Sequence, residues 1–334
     1  MPVRRRGYHR WKGKLSSARW TWPAILSNGL RLGMKQKGAS LLLWSGLPIA
    51  VVAGLLFYFM AVLEKQTAHP VQLPNELRFI LWFLRMDRIP SLDIGKLIVP
   101  MWTLVFARLF QLELLLILLV QSKFGANQIA GDLRTDALPI YFSKPITVWT
   151  YLLGKWLIMM AFASAVMLVP NLVAYVAGVL LSDTVTQFRA TAGLLARITA
   201  HSLLLAGLSS LIILALSSLT RDRRLVSVAW FAIALLPIAI QAVLDDAVAG
   251  KYATGLLGAV SLQRNFGRLT YWMLDVDGAV SSSGHAKLFG SAAGSGLYGA
   301  DLGYSVAVLA AVTAVCLLIC LQRVRRFQVA VVNA

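Results

Sequence analysis

The chain is poor in acidic residues and in cysteine, and both shortages limit what it can be. Its 334 residues include only 14 Asp and Glu against 32 Lys and Arg, and residues 1–40 contain no acid at all. The two cysteines, Cys316 and Cys320, are four residues apart in one apolar run. On a helix they would share a face, so they cannot cross-link distant parts of the fold or hold a metal by themselves. We interpret them as small buried apolar residues.

The chain also lacks a phosphate-binding loop. Such a loop has the pattern G-x-x-x-x-G-K-[ST], in which backbone amides hold the phosphates and the Ser or Thr hydroxyl reaches the magnesium ion. The four Gly-Lys pairs of this sequence are followed instead by Leu15, Leu97, Trp156 and Tyr252. No ATP-hydrolysing site and no bound cofactor is therefore expected in this chain.

Apolar residues are abundant and fall into six long runs. Each run is about as long as the roughly 20 residues that a helix needs to cross a hydrocarbon core of about 30 Å. Backbone amides find no water in lipid, so such runs must be helices. We predict an all-α polytopic membrane protein with one transmembrane domain over residues 41–322 and a cytoplasmic tail over 323–334. The six predicted spans are 41–63, 98–121, 151–181, 191–219, 225–244 and 302–321.

The basic residues are concentrated on one side of these spans. If both termini lie in the cytoplasm, the inner segments carry 20 Lys and Arg and 3 Asp and Glu, whereas the outer segments carry 10 of each class. Cytoplasmic loops are enriched in Lys and Arg, so this distribution predicts a protein of the plasma (inner) membrane with both termini cytoplasmic. Topology and contact with anionic membrane lipids then explain the net charge of +18, and no nucleic acid is needed.

Residues 1–40 form a basic cytoplasmic segment that ends in an amphipathic pattern. A helix can begin at Pro23, because proline is tolerated in a first turn. Apolar residues then recur every three to four positions, at Trp22, Ile25, Leu26, Leu30 and Met34. This pattern predicts an interfacial helix with its apolar side in the acyl boundary. RNA binding by the mixed basic and tryptophan residues is the alternative. A secretory signal is not expected, because no small-residue cleavage site follows the first apolar run.

Two outer segments, 64–97 and 245–301, are too long to be simple turns. The second contains apolar pieces at 256–262 and 269–274, which are too short to span a membrane. We therefore expect short interfacial or re-entrant helices there. The Gly/Ser-rich tract 281–296 is expected to be a flexible loop.

The segment between the second and third spans carries the most informative pattern. Residues 126–138 fit one short amphipathic helix. Its packed face would carry Ile129, Leu133 and Ala137, and its solvent face Asp132, Arg134 and Asp136. Pro139 and Pro145 are expected to stop the helix. Gly154-Lys155 then places a cation where the third span enters the membrane.

This segment resembles the cytoplasmic loop of the permease subunits of type-2 ABC transporters. In that family the loop between spans two and three has an acidic residue, a helical stretch to a small residue and Leu, a Ser-x-Pro, and a Gly-Lys before span three. The matching positions are Asp132, Ala137-Leu138, Ser143-Lys144-Pro145 and Gly154-Lys155. Two positions differ from the family pattern, since Asp132 replaces the usual Glu and Asp136-Ala137 replaces the usual Gly-Thr. The interfacial helix, six spans and short apolar pieces before span six extend the resemblance over most of the chain.

The resemblance implies a function and its partners. The chain would be the membrane-spanning permease subunit of a two-component ABC exporter and not itself an enzyme. A second permease copy would complete a homodimer through spans two and five, and a separate ABC ATPase subunit would hold the ATP and magnesium. The loop would contain a coupling helix that docks on the ATPase. The ATPase-coupling residues that this implies are Ile129, Asp132, Leu133, Arg134, Asp136, Leu138, Ser143, Lys144, Pro145, Gly154 and Lys155.

Four ionisable residues, Arg108, Glu113, Arg197 and His201, lie inside predicted spans. Such groups are costly in a bilayer and indicate either function or pairing between helices. Arg108 and Glu113 are five residues apart, so we expect them to point to different faces and not to pair. Arg197 and His201 are four apart and should share a face, where they would line a polar path or bond another helix. A proton relay through His201 would need a carboxylate partner, for which Glu113 is the candidate within a span.

Two other functions remain open. One is a polytopic membrane enzyme with an outer-face site built from Asp275, Asp277 or His285, although a lone D-x-D is a weak metal signal. The other is a membrane anchor for an ATPase that does mechanical work without transport. Association with an ATP-binding protein separates the enzyme from the other two functions. ATP-dependent transport separates the exporter from the anchor.

Overall fold

The computed structural model describes residues 21–65, 94–143, 146–182, 184–247, 261–282 and 302–332, and all regular secondary structure in these ranges is helical. One turn of π-helix, Gln121–Gly125, follows the fourth α-helix. The α-helices are α1 (Trp22–Met34), α2 (Ala39–Trp44), α3 (Leu47–Lys65), α4 (Ile94–Val120), α5 (Ala130–Arg134), α6 (Leu138–Phe142), α7 (Val148–Leu181), α8 (Thr184–Leu219), α9 (Arg223–Ala247), α10 (Leu262–Leu274), α11 (Val276–Ser282) and α12 (Leu302–Val332).

Six helical segments in the described part of the chain are long and apolar enough to cross a membrane, which confirms the predicted all-α architecture with six spans. The main differences from prediction lie at the helix ends. Helix α12 does not stop where the apolar run ends but continues through three arginines to Val332, so most of the predicted tail 323–334 is helical. A helix depends on continuous backbone hydrogen bonds, and arginine is a good helix former. The six segments are Ala39–Ala61, Ile98–Arg134, Val148–Leu181, Phe188–Leu219, Arg223–Ile240 and Leu302–Phe327.

The first span consists of two helices, where one was predicted. Helix α2 ends at Trp44 and α3 begins at Leu47, with Ser45 and Gly46 between them. A Cβ atom at Gly46 would lie 2.9 Å from the backbone oxygen of Val166, so the bend presses directly against α7. The break therefore occurs where the backbone of the first span lies too close to α7 for any residue with a side chain.

Helices α4, α7 and α8 form the centre of the bundle, and α3, α9 and α12 lie around them. Within the most apolar stretch of each span, 67% of the residues are buried in the second span and only 17% in the fifth. Aromatic side chains fill the centre: the rings of Phe57 and Trp102 are 4.3 Å apart between centroids, and those of Trp102 and Tyr175 are 5.7 Å apart. Displacement of α4, α7 or α8 would therefore disturb the core most directly.

Helix α1 begins where predicted but packs on protein. Ile25, Leu26 and Leu30 contact a buried cluster that includes Ile158 and Phe162 of α7. These three residues are therefore half-buried against α7, and the predicted contact of this side of α1 with the acyl boundary stays a prediction. Gly29 and Gly33, which have no side chains, let α1 approach α7 closely enough for Ile158 and Phe162 to fill the space above them.

The short helices α10 and α11 lie in the middle of the predicted outer segment 245–301. Helix α10 packs between α4, α8, α9 and α12 and has buried residues along its length. Its Phe266 lines a small cavity with Leu118, near the C-terminal end of the second span, and Trp230, near the N-terminal end of the fifth. The apolar piece 256–262 lies almost wholly outside the described residues, as does most of 64–97. The Gly/Ser tract 281–296 begins within α11 and is otherwise outside them too.

Candidate functional site: the loop between the second and third spans

The end of the second span is fastened to the fourth span. Gln121 is fully buried in the π-helical turn, and its side-chain amide donates to Ser209 Oγ at 3.1 Å and to Ser210 Oγ at 2.9 Å. Both serines lie on α8. Hydrogen bonds between polar side chains hold neighbouring helices together where apolar burial alone specifies little. We call this end of the bundle, which carries α5 and α6, the loop end.

A serine from α8 caps the first helix of the loop. Ser217 Oγ accepts hydrogen bonds from the backbone N–H groups of Ile129 and Ala130, at 3.0 and 2.9 Å, and donates to the carbonyl oxygen of Ala126 at 3.0 Å. The first amides of a helix have no partners within it, so a side-chain oxygen at this position stabilises α5. The start of α5 is thereby bound to the end of α8.

The continuous helix predicted over 126–138 is wrong, because the segment forms two short helices. Helix α5 ends at Arg134, and the chain turns at Asp136, whose φ of 49° lies in the left-handed region. Helix α6 then starts at Leu138. Pro139 was expected to stop a helix, but it occupies the first turn of α6, where its missing N–H has no partner to lose.

Asp132 is the centre of the site. Its carboxylate pairs with Lys155 Nζ at 2.8 Å and accepts a hydrogen bond from the Tyr151 hydroxyl at 2.6 Å. Lys155 also donates to the carbonyl oxygen of Gln128 at 2.9 Å. The side chains of Asp132 and Lys155 are only 15% and 11% exposed. The prediction that Asp132 faces solvent is therefore wrong, because α5 is oriented with this residue toward α7.

Apolar and aromatic contacts reinforce the ion pair. Ile129, Leu133 and Leu138 are buried, and the rings of Tyr141 and Phe142 lie 5.6 and 5.9 Å from that of Tyr151. Burial raises the pKa of the Tyr141 phenol, and the Asp132 carboxylate raises it further, so Tyr141 is neutral near pH 7. Helix α6 also packs against α12. The loop is thus held by α7, α8 and α12 at once.

We call residues 126–142 the 126–142 loop. Its exposed surface carries both charged and apolar side chains. Arg134, Asp136 and Ser143 are exposed, and Asp136 lies 3.6 Å from Arg221, itself exposed after α8. Ile140 on α6 is also 66% exposed. Sequence reasoning missed Ile140, Tyr151 and Ser217. Lys144 and Pro145 of the predicted set lie outside the described residues.

The Gly154-Lys155 pair has two separate roles on α7. A Cβ atom at Gly154 would lie 2.8 Å from Ile25 Cγ2, so this glycine makes room for α1. Lys155 reaches from the next position to Asp132. The start of the third span therefore holds both α1 and the 126–142 loop.

The intramembrane residues of the second span bond separately, as predicted. Arg108 donates to Gln111 Oε1 at 3.0 Å, and its guanidinium lies 6.0 Å from the ring centroid of Tyr271. Glu113 is fully buried and accepts a hydrogen bond from Asn171 Nδ2 on α7 at 2.7 Å. The carboxyl group thus bridges two central spans.

Arg197 and His201 both face the short helices α10 and α11. Arg197 donates to Leu274 O at 3.2 Å and pairs with Asp275 at 3.0 Å, and His201 Nε2 lies 2.9 Å from Thr270 Oγ1. Of the two roles that the sequence left open, the structure thus shows pairing between helices. The described residues contain no group of three or more His, Cys, Asp and Glu that could hold a metal. Asp277 is exposed, and His285 lies outside the described residues.

Breaking the Glu113–Asn171 bond is expected to destabilise the bundle. Asn171→Leu leaves a fully buried carboxyl group without this donor, and an unsatisfied buried group costs about 1–3 kcal/mol of the free energy of unfolding. Thermal unfolding of purified protein in detergent measures the loss. The double variant Glu113→Leu/Asn171→Leu removes both partners and should lose less than the two single variants together. If the loss of stability in the double variant equals the sum of the losses in the two single variants, the bond contributes nothing.

Comparison with known proteins assigns this chain to no family. No protein-family model matches it, and a search of curated proteins finds no match. Its function is therefore inferred from the geometry of the 126–142 loop and from the sequence resemblance of that loop.

Proposed function

We propose that the chain is the membrane-spanning permease subunit of a two-component ABC exporter, driven by a separate ATP-binding subunit. The observation that carries this proposal is the way the 126–142 loop is fastened. The Asp132–Lys155 ion pair ties the loop to α7, and Ser217 ties it to α8, while Arg134 and Ile140 stay exposed. A loop that is rigidly attached on one side and free on the other is suited to receive a partner.

This arrangement supports transmission of movement from a partner into the membrane. A force on the exposed side of α5 or α6 would act on α4 through the chain itself, on α7 through Asp132 and on α8 through Ser217. These three helices are the centre of the bundle. Packed cores move as units, so a displacement of the loop would shift whole spans. In this proposal α5 and α6 together perform the coupling role, and α10 is the re-entrant helix.

A second permease copy would complete the transporter. Spans two and five each leave large apolar side chains exposed: Leu115 and Leu119 on α4 are about half exposed, and so is Leu236 on α9. This face is consistent with the homodimer contact that the family resemblance implies for these spans. ATP and magnesium would be held by the ATPase subunit. Helix α1, with Leu32 and Met34 exposed, would lie at the inner membrane interface.

Co-expression with an ATP-binding protein encoded by a neighbouring gene tests the proposal. The expected result is a complex that survives purification and whose ATP hydrolysis drives transport in sealed vesicles. A complex that hydrolyses ATP without transport would favour the anchor. Failure of the two proteins to associate, in native extracts and on co-expression, would overturn the proposal and leave the membrane enzyme.

The proposed orientation predicts which surfaces are reachable from outside intact cells. With Cys316 and Cys320 replaced, a cysteine introduced at Ser282 at the end of α11 should react with an impermeant thiol reagent before lysis. A cysteine at Arg223 at the start of α9 should react only after lysis, because the loop end faces the cytoplasm. Both positions are exposed on the protein surface, so a difference in labelling would reflect the side of the membrane and not burial within the protein. Labelling at position 223 before lysis would refute the orientation.

A further inference from the structure

An apolar groove of about 560 Å³ lies between α7, α8 and α12. Its walls are formed by leucine, tryptophan and small residues. Two of the polar groups on them are already bonded: Trp156 Nε1 donates to Gly207 O at 2.9 Å, and the Thr313 hydroxyl donates to Leu309 O at 2.6 Å. The groove therefore offers little to a polar ligand and suits a hydrocarbon chain.

The groove is long enough to hold one lipid chain of one leaflet. Its wall on α8 extends from Ala200 to Leu214, which is about 21 Å at the helical rise of 1.5 Å per residue. One leaflet contributes about half of a hydrocarbon core of roughly 30 Å. At the loop end, Trp149 lines the groove and is 53% exposed. Tryptophan is enriched at the membrane–water interface, which places this end at the headgroups.

A cation lies directly beyond this end of the groove. Arg323 follows Cys320, the last lining residue on α12, by one helical turn. Its guanidinium donates to Leu219 O at 3.3 Å and forms no ion pair with a described acidic residue. Arginine has five N–H donors, and phosphate is a preferred acceptor for them.

We propose that the groove binds one acyl chain of an anionic phospholipid whose phosphate is bound by Arg323. The acyl chain of the lipid fills the space between α7 and α12 and holds α12 in place. Because α6 packs on α12, the bound lipid also supports the loop end. This site is independent of whether an ATPase docks on the 126–142 loop.

Native mass spectrometry of the purified full-length protein with phosphatidylglycerol or phosphatidylcholine tests the site. The wild type should retain one phosphatidylglycerol in preference to phosphatidylcholine. Ala200→Phe fills the groove from an exposed position and should reduce retention of both lipids. Arg323→Gln should reduce phosphatidylglycerol retention about fivefold and phosphatidylcholine retention by less, because the choline cation already offsets the charge of the phosphate in the second lipid. Arg326→Gln, an exposed arginine one turn further, is the matched control and should behave as the wild type.

Two results would overturn the proposal. One is undiminished phosphatidylglycerol retention by Ala200→Phe or by Arg323→Gln. The other is occupation of the groove by a second copy of the chain. In a background without Cys316 and Cys320, Leu204→Cys at the rim would then form disulfide-linked dimers in native membranes.

Discussion

Replacing Lys155 with Met is expected to release the 126–142 loop and, if the proposed function is correct, to abolish docking of the ATPase subunit. The change leaves the Asp132 carboxylate, 15% exposed, without its ion pair and frees the carbonyl oxygen of Gln128. Breaking a largely buried pair by removing one partner costs about 3–5 kcal/mol of the free energy of unfolding. That is a large share of the stability of a typical domain. Thermal unfolding in detergent and the amount of ATPase purified with the protein measure the two effects.

Two control variants make this result specific. Asp132→Asn/Lys155→Met removes both charges and should recover part of the stability, because no uncompensated charge remains. Arg134→Ala changes an exposed charge on the same short helix and should cost no more than about 1 kcal/mol. If Lys155→Met were as stable as Arg134→Ala, the ion pair would not be what holds the loop.

If the proposed function is correct, replacing Ile140 with Asp should remove docking of an ATPase subunit without unfolding the protein. Ile140 is 66% exposed at the free surface of α6, so its loss costs the fold little, within about 0.5 kcal/mol. In a docked complex the same side chain would be buried, and a charge there would lack a partner. Truncation of a central interface residue costs about 2 kcal/mol or more, which corresponds to roughly a 30-fold loss of affinity. Binding of the purified ATPase candidate to this protein in detergent gives the dissociation constant.

Ile140→Leu is the matched control, because it keeps an apolar side chain of the same volume. It should bind the ATPase within about threefold of the wild type. The unfolding temperatures of both Ile140 variants should equal that of the wild type. Wild-type affinity in Ile140→Asp would show that the exposed surface of α6 is not the docking surface.

The spans were predictable because length and apolarity are properties of local sequence. The ends of the helices were not predictable in this way. Helix α12 continues into a basic segment, because its backbone hydrogen bonds continue past the end of the apolar run. The break of the first span at Gly46 depends on the approach of α7, which is distant in sequence. Hydropathy contains no information about that approach.

The loop shows the same division between local and distant causes. The pattern identified Leu133 as buried, but it placed Asp132 on the solvent side, because the position of Lys155 in space is set by the packing of α7. The cap from Ser217 comes from 87 residues away. A signal for it was present: Ser210 and Ser217 are seven residues apart in the fourth span and share a helix face, which indicates interhelical hydrogen bonds. An exposed apolar residue such as Ile140 has no comparable signal.

In-cell photo-crosslinking from position 140 tests the central claim most directly. A photoreactive amino acid in place of Ile140 should capture a protein that mass spectrometry shows to carry the G-x-x-x-x-G-K-[ST] pattern of an ATPase. The same amino acid in place of Leu180, 69% exposed at the other end of α7, should not capture that protein. Capture of such an ATPase from position 140 alone is the result that the permease proposal predicts. Correctly inserted protein that captures no such ATPase from position 140, or captures it equally from both positions, would contradict the proposal.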